Sequence, residues 1–132
     1  MVPQLKKLFL AATRVRKNAH APYSKYRVGA AVLTTHEKIF SGCNVENASY
    51  GLCQCAERNA LATAVAAGHK KFKKILVVSQ NGCTPCGACR QVIWELCGDI
   101  PVIVCDQGGK LRTFTSRELL PEVFDVRDLA KK

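Results

Sequence analysis

Three cysteines constrain this chain more than any other feature. Cys55 opens the segment Cys55-Ala56-Glu57, and Cys86 and Cys89 belong to Pro85-Cys86-Gly87-Ala88-Cys89. Both segments begin stretches that read as helices, an alanine-rich one over 55–67 stopped by Gly68 and a second over 86–96 stopped by Gly98. Cys86 and Cys89 lie three apart, so their sulfurs share one face of a first turn, where free amide N–H groups and the helix dipole favour thiolate over thiol. Cys55 occupies the matching place on the other helix. A fold that uses all three must bring two helix N-termini together, and three thiolates converging there make a tetrahedral zinc site, one ion per chain, with one corner vacant. That vacancy is what separates catalytic from structural zinc, because water can sit there.

Composition narrows what surrounds such a site. At 132 residues the chain is the size of one domain, spanning 1–132. An apolar fraction of 48% with 23% charged residues suits a globular core and excludes disorder as the main state. Eight cysteines are too few for a disulfide scaffold at this length, which makes metal or catalysis the expected use of some of them. Twenty basic residues against ten acidic ones give a net charge of +10, which favours anionic partners, so nucleic acid enters as a candidate. No run reaches the roughly 18 apolar residues of a membrane span, and the apolar stretch 8–12 is too short for a secretory leader, so a cytoplasmic location is expected.

The remaining pattern supplies a sheet for the two helices. Leu5, Leu8, Phe9, Ala12 and Val15 recur at three- and four-residue intervals, which predicts a helix over 3–18 with Arg16 intruding on its stripe. Runs at 28–34 and 39–45 read as a hairpin around His36-Glu37-Lys38. The short apolar run 75–79 reads as a strand covered on both faces, after a lysine-rich loop over 69–74. Strands at 102–105 and 111–115 flank the turn Gln107-Gly108-Gly109, and Thr115 with Glu118 fits a capping box opening a short helix before Pro121. The expected class is α/β, one mixed five-stranded sheet with helices on both faces, forming three layers.

Chemistry at the cysteines needs two further parts. A Cys₃ zinc site carries a net charge of −1, which weakens the metal as an acid. Arg58 and Arg90 each follow a motif directly, and guanidiniums donating to the thiolates would offset that charge. Glu57 lies two residues past a ligand, where it can take a proton from water as a general base. A closed Cys₄ structural site that adds Cys53 is the alternative, although it leaves Glu57 without a use. Cys43, Cys83, Cys97 and Cys105 read as small buried hydrophobes.

Cys-Ala-Glu followed by Pro-Cys-x-x-Cys is the Cys₃ form of the zinc deaminase signature. Beyond it, Ala21-Pro22-Tyr23-Ser24-Lys25-Tyr26-Arg27-Val28-Gly29, Gly42-Cys43-Asn44-Val45-Glu46-Asn47-Ala48-Ser49-Tyr50-Gly51 and Cys86-Gly87-Ala88-Cys89-Arg90-Gln91-Val92 resemble the small homotetrameric cytidine deaminases of pyrimidine salvage. The resemblance runs over nearly the whole chain and implies hydrolysis of cytidine and deoxycytidine to uridine and deoxyuridine with release of ammonia. It implies Cys55, Cys86 and Cys89 as zinc ligands and Glu57 as proton shuttle. Asn44 and Glu46 would hold the ribose 3′-hydroxyl, with Tyr26 and Ala56 beside the base. Phe124 would close the pocket of a neighbouring subunit in a homotetramer. Tyr26 departs from the family's usual phenylalanine, and its hydroxyl needs a partner.

Two other readings fit parts of the pattern. A deaminase acting on cytosine within RNA or DNA would use the same site and explain the basic first helix. A structural-zinc module could bind nucleic acid through Lys70, Lys71, Lys73 and Lys74, although clustered lysines are more often a solvated face. A blasticidin-type deaminase also fits Cys-Ala-Glu and Pro-Cys-x-x-Cys alone, but Asn44 with Glu46 favours an unmodified ribose.

Overall fold

The computed structural model describes residues 1–129; the last three residues of the 1–132 unit lie outside the described residues. The elements are α1 (Pro3–Arg16), β1 (Gly29–Thr34), β2 (Ile39–Cys43), a single 3₁₀ turn (Tyr50–Leu52), α2 (Ala56–Ala66), β3 (Phe72–Val78), α3 (Gly87–Cys97), β4 (Pro101–Cys105), β5 (Leu111–Thr115), α4 (Ser116–Leu119) and α5 (Val126–Leu129). The five strands form one sheet in the order β2-β1-β3-β4-β5. β1 runs antiparallel to β2 and β3, β3 and β4 are parallel, and β5 is antiparallel to β4.

Alternating side chains split the core between the two faces, as a period of two requires. Leu8 and Ala12 of α1 pack on Ala31, Leu33, Leu76, Val78 and Ile103 on one face. On the other, Ala60, Leu61 and Ala64 of α2 and Ile93 of α3 pack on Ala30, Val32, Ile75, Val77 and Val102. Helices therefore cover both faces, in the three expected layers. Contact is so close at Gly42 that a Cβ there would stand 2.4 Å from the Ala60 nitrogen, so glycine is what lets α2 lie directly on the edge strand. The capping box is present, with Thr115 accepting from the Glu118 N–H and the Glu118 carboxylate accepting from the Thr115 N–H.

Several boundaries shift by a single residue, and three differ from the sequence expectation by two or more, each for a tertiary reason. β3 begins at Phe72 rather than at 75, because Phe72 pairs with Thr34 and is buried while Lys73 projects outward to an ion pair with Glu37. The lysine density hid that alternation. β2 ends at Cys43 rather than at 45, since Asn44 leaves the ladder to bond the segment 26–28. α1 ends at Arg16, whose Nε donates to the Arg27 carbonyl and so joins the helix end to that same segment.

Because α2 and α3 both begin at the edge where β3 ends, their N-termini meet above the carboxyl ends of the parallel pair β3 and β4. Ligand crevices in open α/β sheets form at such ends. Among the described residues no helix is long and apolar enough to cross a membrane.

Candidate active site

Cys55 is the N-cap of α2 and Cys86 the N-cap of α3, and Cys89 lies in the first turn of α3. Their three sulfurs all fall within 4.8 Å of one another, and those of Cys55 and Cys86 are 3.8 Å apart. A tetrahedron built on a zinc–sulfur bond of about 2.3 Å has an edge of about 3.8 Å, so the donor set fits zinc. A hydrogen bond from the Cys89 thiol, helped by the Arg58 guanidinium, holds the Cys55 thiol down at about 5, and the same bond pushes Cys89 upward. Cys55 thus already carries thiolate character, which a metal needs in its ligands. Cys53 stays outside the trio: its sulfur meets the backbone of Asn47 instead.

The two arginines part company. Arg58 Nη2 donates to Cys55 Sγ at 3.3 Å, as expected. Arg90 does not donate to sulfur. Its Nε, Nη1 and Nη2 donate to the Pro85 carbonyl, the Leu119 carbonyl and Thr84 Oγ1 at 2.7, 2.9 and 2.8 Å. Three acceptors with full geometry outcompete a distant thiolate, so Arg90 braces the loop that delivers Cys86 rather than drawing charge from it.

Glu57 follows in the first turn of α2, and its residue is 5% exposed. Burial pushes its carboxyl up to about 7, only partly opposed by backbone N–H at the helix start. It opens onto a cavity of about 320 Å³ that is also lined by Cys55, Cys86, Ala56, Tyr26, Asn44 and Glu46. A carboxyl in this setting can accept and return a proton near neutral pH.

The wall opposite the sulfurs comes from the segments 24–28 and 44–46. Asn44 Oδ1 accepts from the Val28 N–H at 2.9 Å, and its Nδ2 donates to the Tyr26 carbonyl at 2.8 Å, so Asn44 fixes the wall's backbone. Each of its polar atoms keeps further hydrogen-bonding capacity. Glu46 Oε1 accepts from the Tyr23 and Ser24 N–H groups at 3.0 and 3.1 Å, and Oε2 from the Ser24 hydroxyl. Chiefly through that hydroxyl, the Glu46 carboxyl is held below its ordinary range. The Tyr26 hydroxyl donates to Asn81 Oδ1 at 2.5 Å and lies 2.9 Å from Cys83 Sγ, which supplies the partner a tyrosine needs where a phenylalanine would need none.

Phe124 does not reach this cavity. It is 58% exposed, and its carbonyl accepts from Gln91 Nε2 at 2.7 Å. Sequence reasoning overlooked Ser24, which the hydroxyl's place beside a turn could have flagged, since Ser24 Oγ also accepts from the Tyr26 N–H. It also misplaced Cys83, which is exposed and lines the cavity rather than filling the core. The cysteine trio, Glu57, Ala56, Tyr26, Asn44 and Glu46 are brought together; Arg90 and Phe124 lie apart.

Comparison with known proteins places this arrangement. The family model described as the cytidine and deoxycytidylate deaminase zinc-binding region matches residues 3–106. A cytidine deaminase of Sporosarcina psychrophila is 42% identical over 129 residues, covering 96% of this chain and 95% of the relative. A probable cytidine deaminase of Dictyostelium discoideum is 46% identical over 132 residues, covering 98% and 89%. Among solved structures, the cytidine deaminase from Burkholderia pseudomallei aligns with a TM-score of 0.86 at 48% identity, over 90% of this chain and 98% of that one.

Proposed function

The chain belongs to the cytidine and deoxycytidylate deaminase family, and on that premise we propose that it hydrolyses cytidine and deoxycytidine to uridine and deoxyuridine plus ammonia at the cavity between α2, α3 and the 24–28 wall. The observation that carries this reading is the single cavity shared by the sulfurs of Cys55 and Cys86, the buried Glu57, and the hydrogen-bonding pair Asn44 and Glu46.

Cys55, Cys86 and Cys89 would hold zinc through their Sγ atoms, and the bound ion supplies a Lewis acid that makes water nucleophilic near neutral pH. Glu57 takes a proton from that water at its carboxylate and delivers it to N3 of cytosine, while the water oxygen adds at C4. Glu57 then takes the proton of the new C4 hydroxyl and passes it to the exocyclic nitrogen, so that the C4–N4 bond breaks, the C4 carbonyl forms and ammonia leaves. The net change is one water consumed and one ammonia released. Arg58 holds a positive charge against Cys55 throughout. Glu46 accepts from the ribose 3′-hydroxyl with Asn44 beside it, while the Tyr26 ring and Ala56 flank the base; a carboxylate already organised by Ser24 needs little further ordering to do this.

We read residues 1–132 as one catalytic domain that works as a homotetramer in the cytoplasm, in pyrimidine salvage. All eight cysteines are free, the state that a reducing compartment maintains. Exposed Phe124, Val126 and Leu129 leave an apolar tail face in water, and Trp94 Nε1 donating to Asp125 Oδ2 at 3.0 Å holds that tail on α3 with Phe124 outward. Docked into a second copy, the ring would be buried and would screen that copy's cavity. Light scattering at assay concentration should give a tetramer, and Phe124→Ala should lose activity; a fully active monomer would refute the assembly.

Ultraviolet assay of the zinc-loaded protein on cytidine, deoxycytidine, CMP and a short RNA tests the substrate. Turnover of the two nucleosides well above the others is expected. Failure on both nucleosides would overturn the reading, and faster turnover of RNA would replace it with a polynucleotide deaminase.

A further inference from the structure

The wall of the active site has a reverse side. Along 24–28 the residues divide: Ser24, Tyr26 and Val28 line the catalytic cavity, while Lys25 and Arg27 line a different cavity of about 360 Å³ together with His20 and the small floor Ala19, Ala21 and Pro22. The two cavities share no lining residue. No acidic side chain lines the second one, and among the described residues none of His20, Lys25 and Arg27 takes part in a salt bridge. Arg27 Nη1 donates to the Lys17 carbonyl at 3.3 Å, which steadies the guanidinium and leaves its other N–H groups for a ligand. The neighbouring carboxylate, Glu46, is engaged on the opposite side of the turn by Tyr23 and Ser24.

Lys25 also sits at φ +60°, a left-handed conformation that costs energy in any residue with a Cβ. The turn is closed by the Lys25 N–H donating to the Ala21 carbonyl at 3.0 Å. Strain is thus tolerated where a lysine is turned away from the catalytic cavity and toward the cavity it shares with the Arg27 guanidinium and the His20 imidazole. The Lys25 and Arg27 charges repel one another; a multiply charged anion would relieve them, and arginine with lysine is the pairing that suits tetrahedral oxyanions.

We propose that this cavity binds a phosphate dianion, free or as the phosphoryl end of a nucleotide, and that its occupancy alters nucleoside binding through the 21–25 turn. The coupling route is short. Lys25 contacts the anion, and the preceding Ser24 donates to Glu46 on the catalytic side, so a shift of the turn moves both.

Calorimetric titration of the zinc-loaded protein with inorganic phosphate, at ionic strength held constant with chloride, tests the site without reference to catalysis. One phosphate per chain is expected. Lys25→Gln with Arg27→Gln should weaken it by about tenfold or more, whereas Lys70→Gln with Lys71→Gln, at the far end of the sheet, should change it by less than about twofold. No saturable binding, or equal weakening by both pairs, would overturn the proposal, since the second result means general attraction to a basic surface. A parallel titration with GMP, a purine that leaves cytosine recognition aside, separates the sources: tighter binding than phosphate assigns the ligand to nucleotides, and equal binding assigns it to free phosphate. In the coupled arm, saturating phosphate should shift KM for cytidine by about threefold in the wild type and leave the Lys25→Gln/Arg27→Gln protein unchanged. Phosphate that binds without moving KM would refute the coupling.

Discussion

Cys55 and Cys86 each cap a helix of eleven residues, and each helix carries an arginine near its start, yet the two arginines act in opposite directions. Arg58, three residues past its capping cysteine, folds back onto the Cys55 sulfur. Arg90, four residues past Cys86, swings away and bonds Pro85, Leu119 and Thr84. One residue of offset turns a side chain by about 100° around a helix, which is enough to exchange a sulfur for a backbone carbonyl. The position after the cap differs by one further step: α2 continues to the buried Glu57, and α3 has only Gly87 and Ala88 before Cys89. The start of α2 therefore carries charge and proton chemistry, and the start of α3 carries two ligands and the brace that keeps them in place.

The largest effect that follows is on Glu57. Glu57→Gln keeps the shape of the side chain but cannot accept a proton, so kcat should fall by about a thousandfold or more while zinc content stays at one ion per chain. Kinetics beside metal analysis checks this. Retention of a tenth of wild-type kcat would remove Glu57 from its role and leave α2 no more chemical than α3.

Glu46 belongs to neither helix start and calibrates the comparison. Glu46→Ala loses a hydrogen bond to a charged group, so kcat/KM for cytidine should fall by about tenfold or more, with little change for the 3′-deoxy analogue. An equal loss on both substrates would mean that Glu46 only supports the turn. The pH dependence has a definite sign. Its carboxyl is held below the ordinary range, chiefly by the Ser24 hydroxyl, so the charge persists as pH falls through the ordinary glutamate value of about 4.3 and is lost only beneath it. KM for cytidine should stay flat from neutral pH down to about 5 as a result. A rise in KM between pH 7 and 5 would contradict it.

The arginines themselves give the sharpest contrast. Arg90→Ala removes three hydrogen bonds from a partly buried frame and should cost about 2 to 3 kcal/mol of unfolding free energy. Arg58→Gln should barely change stability but lower kcat by roughly tenfold, because the sulfur cluster loses its offsetting charge. Thermal denaturation and steady-state kinetics on both variants would show crossed effects. Parallel effects would erase the distinction drawn here. Smallest of all, Cys53→Ser should leave both metal and turnover within about twofold of wild type, since Cys53 only meets the Asn47 backbone.

Much of this site was legible because its information is local. Cysteine spacing on a first turn, a glutamate two residues on, and glycine stops place Cys55, Glu57, Cys86 and Cys89 without knowledge of the sheet. The sheet itself was legible from alternation, except at Phe72, where neighbouring lysines masked the pattern and pairing with Thr34 decided the outcome. Arg90 was misread because its partners, Leu119 among them, are far away in sequence, and adjacency to a motif cannot show where a long side chain turns. Cys83 was misread as core because composition ranks cysteine as buried, while its place on a loop beside Tyr26 depends on how 79–84 folds over the cavity. The hydrogen bonds of Tyr26 to Asn81 and of Ser24 to Glu46 arise between segments 22 to 55 residues apart, a range at which spacing carries no signal.

X-ray absorption at the zinc edge of the loaded protein tests the open three-cysteine site most directly. Three sulfur neighbours at about 2.3 Å and one oxygen or nitrogen neighbour at about 2.0 Å are expected, whereas four sulfur neighbours would show a closed structural site and contradict the open one.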